Sequence, residues 1–222
     1  MHEGTPMWEA FDAILFDNDG ILVDTEPLFL QATQEILATV DVILTADEYH
    51  EISMRQGRAV FNLAEARGVS DDEIRVLRTS RNRRYSELID QGVRIFDGVA
   101  ETLERLHGIL PMAIVTSSDR EHFDRIHKQT ELIRFFDFVL TAGEYAHHKP
   151  HPEPYLAAAS RIGAAPDRCL VIEDTERGVR SATTAGMSCI VIPNELSKAG
   201  NFENAHTILH SMRELTSLLG IE

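Results

Sequence analysis

Four carboxylates crowd into AILFDNDGILVDTE: Asp17, Asp19, Asp24 and Glu26. Acids this close repel one another and raise one another's pKa unless a positive group lies between them. Two readings fit. Asp, Asn and Gly are the preferred residues of a loop leaving a buried strand. Alternatively, the acids form a divalent-metal site at the carboxyl end of that strand, where ligands of open α/β sheets collect. A second acid pair, Glu173 and Asp174, follows the apolar run in CLVIEDTERG and needs a cation for the same reason. Lys149 stands in HHKPHPEPY, where Pro150 and Pro152 restrict the backbone carrying it. A fixed ammonium group suits a phosphate or crowded carboxylates. His147, His148 and His151 lack the partner spacing of a transition-metal site and read as a solvated loop. In AIVTSSD, Thr116, Ser117 and Ser118 offer hydroxyls and amides to a phosphate oxygen beside a helix N-terminus. Read as ordinary N-caps, the same residues carry no chemistry.

The elements that position these residues are legible as alternating short apolar runs and amphipathic stretches, the pattern of a parallel sheet flanked by helices. Expected strands are 13–16, 112–116, 138–141, 169–172 and 189–192, with helices between them and Gly108, Gly163 and Gly186 at helix C-caps. From about Pro27 to Gly92 no strand is expected, only helices, two of them opened by capping-box pairs, Thr45 with Glu48 and Ser70 with Glu73. The expected organisation is an α/β core from 1–26 and 93–222, interrupted by a helical domain over 27–92. Entering beside the acid cluster, that domain is placed to act as a lid.

Composition sets the boundaries. With 222 residues, 43% hydrophobic and 26% charged, the chain suits one globular core with a small appended domain. A formal net charge of -15 argues against nucleic acid or an anionic membrane as a partner, though not against a small anion. Cys169 and Cys189, each beside an apolar run, read as buried strand residues in a reducing, cytoplasmic setting. No targeting or membrane-anchoring segment is expected. The expected partner is a small phosphorylated metabolite, and the expected state a monomer with at most weak dimerisation.

The order Asp-Asn-Asp-Gly, strand-Thr, Lys-Pro and strand-Glu-Asp resembles the four motifs of the haloacid dehalogenase (HAD) superfamily over most of the chain. The helical insert after the first motif resembles the cap of that family's phosphoglycolate phosphatase and β-phosphoglucomutase branch. The resemblance implies a Rossmann-like parallel-sheet core and a magnesium-dependent phosphatase. Asp17 would be the nucleophile that forms an aspartyl-phosphate. Asp19 would protonate the leaving alcohol and then activate water. Magnesium would be held by Asp17, the backbone carbonyl of Asp19 and Asp174, with Glu173 supporting. Thr116 and Lys149 would hold the transferring phosphoryl oxygens, with Ser117 and Ser118 beside them.

Rival functions part from this reading at named residues. A haloacid dehalogenase, as the family is known, lacks the second acid, so Asp19 favours phosphate chemistry. β-Phosphoglucomutase carries a hinge histidine where this chain has Phe29, which favours hydrolysis. A signalling receiver domain has a different motif order and no helical insert, and a phosphate-binding protein without chemistry would not keep every catalytic position filled. On the leaving-group side the candidates are Arg55, Gln56 and Arg58 beside Gly57, with a solvated helix start as the alternative reading. RNRRY, 81–85, reads as a solvated face or a partner for nearby acids, and Trp8 as core.

Overall fold

The structure is a computed structural model and describes residues 6–221; part of the N-terminal stretch read for targeting lies outside that range. Its sheet comprises β1 (Ala13–Phe16), β2 (Met112–Asp119), β3 (Phe138–Ala142), β4 (Cys169–Glu173), β5 (Ser188–Val191) and β6 (Thr207–Ile208). All neighbouring pairs are parallel, in the order β3-β2-β1-β4-β5-β6. A parallel sheet is covered on both faces, which is why its strands read as unbroken apolar runs. Along each strand successive side chains alternate between those faces. Ile14, Phe16, Ile114, Leu170, Ile172 and Ile190 enter one core cluster, and Leu15, Val115, Val171 and Val191 the other. Helices α5 (Val99–Leu106), α6 (Arg120–His127) and α9 (Arg213–Leu219) cover the first face. Helices α7 (Glu153–Ile162) and α8 (Glu176–Thr184) cover the second. The strand order reverses between β1 and β4, so a crevice opens beyond their carboxyl ends.

Between β1 and α5 lie α1 (Glu26–Ala38), α2 (Ala46–Tyr49), a π-helical turn (His50–Arg55), α3 (Asn62–Glu65) and α4 (Asp71–Ile89). Leu37, Leu44, Tyr49, Met54, Phe61 and Ile74 give these helices a cluster of their own. A further cluster, including Val23, Tyr85, Leu88 and Ile126, joins α4 to the sheet domain. Both capping boxes form as the sequence spacing requires.

Three expectations need correction. The strand expected to end at Thr116 runs to Asp119, because a shift in register against β3 lets pairing resume after Val115. The segment 45–52 is not one α-helix but a four-residue helix passing into the π-turn, where Gln56 N bonds to Glu51 O. GRAVFNLAEARG supplies only the four residues of α3. β6 and α9 were not anticipated: a two-residue edge strand has no periodicity to read, whereas Met212, Leu215 and Leu219 do have helical spacing.

Candidate active site

Asp17 follows the last residue of β1, and its amide is tied to β4 by a bond to Ile172 O (2.9 Å). Its carboxylate meets Lys149 across the crevice: Nζ donates to Asp17 Oδ1 (2.8 Å), Glu173 Oε1 (2.7 Å) and Val115 O (2.9 Å). All three ammonium protons are thereby used, and the lysine is 3% exposed. Burial alone would lower the Lys149 pKa, but Asp17 and Glu173 raise it above the ordinary lysine value. Glu173 is fully engaged, taking Tyr155 Oη (2.8 Å), the amides of Asp174 and Thr175 and the Thr175 hydroxyl. Burial would raise its pKa, yet Lys149 and these donors hold it below the usual value. Gly178 makes this arrangement possible, since a Cβ there would lie 1.9 Å from the Glu173 carboxyl carbon.

Asp174 differs. Oδ2 accepts from Asn194 Nδ2 (2.8 Å), but Oδ1 is buried without any hydrogen-bond partner. Gly20 lets the first loop close against it: φ is +88°, and a Cβ would fall 2.3 Å from Oδ2. Asp17, Glu173 and Asp174 each offer an oxygen, all within 4.8 Å of one another. Burial, then Glu173, pushes Asp174 well above the carboxylate range, and the same causes push Asp17 up to about 7 against the pull of Lys149. Of these three buried acids, Asp17 and Glu173 share the Lys149 ammonium, and Asp174 has no contact with it. The orphaned Asp174 oxygen and the all-oxygen donor set fit a hard divalent cation such as magnesium.

The side chain of Asp19 stands apart from that trio and is held by three hydroxyls: Thr25 (2.5 Å) on Oδ1, Thr116 (3.0 Å) and Ser118 (2.9 Å) on Oδ2. Thr116 is completely buried and its Oγ1 also accepts from the Ser118 amide. Ser117 Oγ is buried without a partner and lines the pocket. The structure therefore brings Asp17, Asp19, Thr116, Ser117, Ser118, Lys149, Glu173 and Asp174 together. Thr25 was missed, although it sits in the same loop as the acids.

The pocket over these residues has a volume of about 200 Å³. The four cap candidates do not line it: Arg55, Gln56, Gly57 and Arg58 are exposed. Arg55 pairs with Glu51 (3.0 Å) and Glu176 (3.3 Å), Gln56 donates to Glu51 and Arg58 to Gln56. Gly57 packs instead on the loop carrying Lys149, where a Cβ would sit 3.0 Å from Pro150 Cδ. The π-turn explains the difference, since it presents Ser53 inward and turns the following residues away. RNRRY is also corrected. Arg84 does pair with Glu35 (2.6 Å) and Glu87 (3.1 Å), and Arg83 is exposed, but Arg81, Asn82 and Tyr85 line the pocket. Their spacing, i, i+1 and i+4, places them on one face of α4, a signal the charge of the run conceals. Phe29 lies beneath Arg81, whose guanidinium sits 4.2 Å from the ring centroid. Arg177 of α8 lines the opposite wall with Glu26, which accepts from Tyr49 Oη (2.6 Å). His147 and His151 are exposed as expected, yet they stack at 4.5 Å and both approach Glu153.

Comparison with known proteins agrees with this geometry. Residues 14–192 match the haloacid dehalogenase-like hydrolase family. The chain is 31% identical to protein CbbY of Rhodobacter capsulatus, covering 87% of this chain and 90% of that one. It is 28% identical to the fructose-1-phosphate phosphatase YqaB of Escherichia coli (83% and 97% covered) and 27% to the phosphoglycolate phosphatase of Shigella boydii (96% and 94%). The crystal structure of CbbY from Rhodobacter sphaeroides in complex with phosphate superposes with a TM-score of 0.80 at 25% identity, covering 95% of this chain and all of that one. The chain belongs to the haloacid dehalogenase-like hydrolase family and is a phosphatase of that family.

Proposed function

We propose that the protein hydrolyses a small phosphate monoester with magnesium, through a phosphorylated Asp17. The observation that carries this reading is the orphaned Asp174 oxygen beside two further buried acids and one fully committed lysine. Asp17, Asp174 and the Asp19 backbone carbonyl would hold the ion, with Glu173 fixing Lys149 and the loop behind it. The ion would offset phosphoryl charge and the repulsion among these acids.

Asp17 attacks phosphorus, its carboxylate oriented through Oδ1 by Lys149, while Oδ2 accepts no hydrogen bond among the described residues. The Asp17–phosphorus bond forms as the ester bond breaks. Asp19 delivers a proton to the departing oxygen and afterwards takes one from the water that hydrolyses the acyl phosphate. Thr25 keeps the Asp19 carboxyl aimed at that oxygen, whereas Thr116 and Ser118 turn from Asp19 to the phosphoryl oxygens. Residues 27–92 act as a cap that excludes bulk water during transfer. Phe29 leaves the hinge without an imidazole, which favours hydrolysis over phosphomutase chemistry. The named relatives support a sugar phosphate or phosphoglycolate-like substrate, and the buried, unpaired thiols of Cys169 and Cys189 suit the cytoplasm.

The test is phosphate release from a panel of phosphorylated sugars, polyols, nucleotides and glycolate. Turnover is expected with magnesium, abolished by EDTA and restored by added magnesium. Activity that survives thorough chelation would refute the metal assignment.

A further inference from the structure

Two guanidinium groups line the pocket, one from α4 and one from α8, and among the described residues neither forms a salt bridge, although Glu26 acts on the charge of Arg177 and Asp119 on that of Arg81. Arg81 comes from α4 of the helical insert, and Arg177 from the first turn of α8 on the sheet domain. Among the described residues, no carboxylate lies within 4.0 Å of either. The other pocket cation, Lys149, by contrast contacts two carboxylates. Arg177 Nε is buried without a hydrogen-bond partner, and the acid facing it, Glu26, is already bonded to Tyr49. Arg81 donates to Asn82 Oδ1 (2.8 Å) and lies over the rings of Phe29 (4.2 Å) and Phe61 (5.7 Å). Burial pulls the Arg81 pKa down to about 10. An arginine taken out of water is normally paired, because a desolvated charge without a partner is costly. Exposed arginines escape that cost, but these two open onto the reaction pocket.

We propose that Arg177 and Arg81 together receive a second anionic group of the substrate, a carboxylate or a second phosphate, at the end that is not transferred. Specificity is then divided between the two domains rather than confined to the insert. Planar guanidinium groups suit both oxyanions through paired N–H donors. The stem of Arg177 lies under the π-turn, with Cδ 3.9 Å from a Cβ built on Gly57. An anion bridging both arginines would therefore also hold the insert against the sheet domain, coupling recognition to closure.

This inference rests on the phosphatase reading, and its test separates the two. Phosphate release is measured for matched pairs: 2-phosphoglycolate against 2-hydroxyethyl phosphate, and fructose 1,6-bisphosphate against fructose 1-phosphate. p-Nitrophenyl phosphate serves as a generic ester. In at least one pair the anionic member should have the higher kcat/KM by tenfold or more, and which pair responds identifies the group as carboxylate or phosphate. Arg177→Gln and Arg81→Gln should each cost that member at least tenfold more than its neutral counterpart, mainly through KM, with Arg177→Lys recovering part of the loss. Hydrolysis of p-nitrophenyl phosphate without preference in either pair, or equal losses on both members, would overturn the inference alone. No phosphate from any ester would overturn the phosphatase reading and this inference with it.

Discussion

Lys149 fixes Asp17 only because it is itself fixed, by Glu173 and by Val115 O. A buried ammonium with three acceptors has no freedom to follow a moving substrate, so in the proposed mechanism its part is to hold Asp17 as nucleophile and meet phosphoryl charge where it develops. Lys149→Met should lower kcat by at least a hundredfold in steady-state phosphate release with much less change in KM; a pure KM effect would contradict a role in the transition state. Asp19 calls for a different test. Asp19→Ala should lose far more rate on an alkyl phosphate than on p-nitrophenyl phosphate, whose leaving group needs little protonation; equal losses would argue for a positional role. A third residue, His127, is buried beside the first loop, with Nε2 on Asn18 Oδ1 (2.7 Å) and Nδ1 on Thr130 Oγ1 (2.7 Å). Burial lowers its pKa from 6.5 to about 4, so the unfolded chain binds the extra proton first as pH falls. Its contribution is complete above pH 6.5 and fades through about pH 4, amounting to about 3 kcal/mol. Urea titrations of wild type and His127→Gln should converge by about that much over this window; parallel profiles would contradict it. Asp17, Asp19, Lys149, Glu173 and Asp174 were legible in the sequence because the acids stand close to apolar runs and the lysine just ahead of two prolines. Arg81 and Arg177 were not, because the pocket they both line is assembled only in three dimensions.

Elements supply what single residues cannot. Short parallel strands were readable because burial on both faces leaves uninterrupted runs such as CLVI, and capping boxes because the pairing is local. The π-turn was not readable: nothing in HEISMR distinguishes an i→i−5 bond from an α-helical one, yet this turn decides that Ser53 and not Arg55 faces the pocket. Close packing between α8 and β4 gives a prediction at this scale. A Cβ at Gly178 would occupy the space of the Glu173 carboxyl group, so Gly178→Ala should expel Glu173 from Lys149. Overpacking of this kind costs about 1–3 kcal/mol, and activity should fall at least tenfold. Denaturant midpoints and phosphate release measure the two effects; an active variant of unchanged stability would contradict the packing described.

At the scale of the whole molecule, the sheet places its acids at the strand-order reversal while the helical insert roofs them, so one pocket is built from two clusters of independent packing. That division was visible as a change from alternating runs to helical stretches near Pro27, whereas the contacts across it were not, since each joins residues far apart in sequence, as Tyr85 and Ile126 are. Phe29 marks the functional consequence: with β-glucose 1-phosphate and a bisphosphate activator, any turnover should release free phosphate and little glucose 6-phosphate. Every step of the proposed mechanism depends on a covalent role for Asp17, and that role can be tested directly. Acid quench of a single turnover with a phosphorus-labelled ester, followed by peptide mapping, should place the label on Asp17, with none retained by Asp17→Asn. Label on another residue, or turnover with no acid-trappable phosphoenzyme, would contradict it.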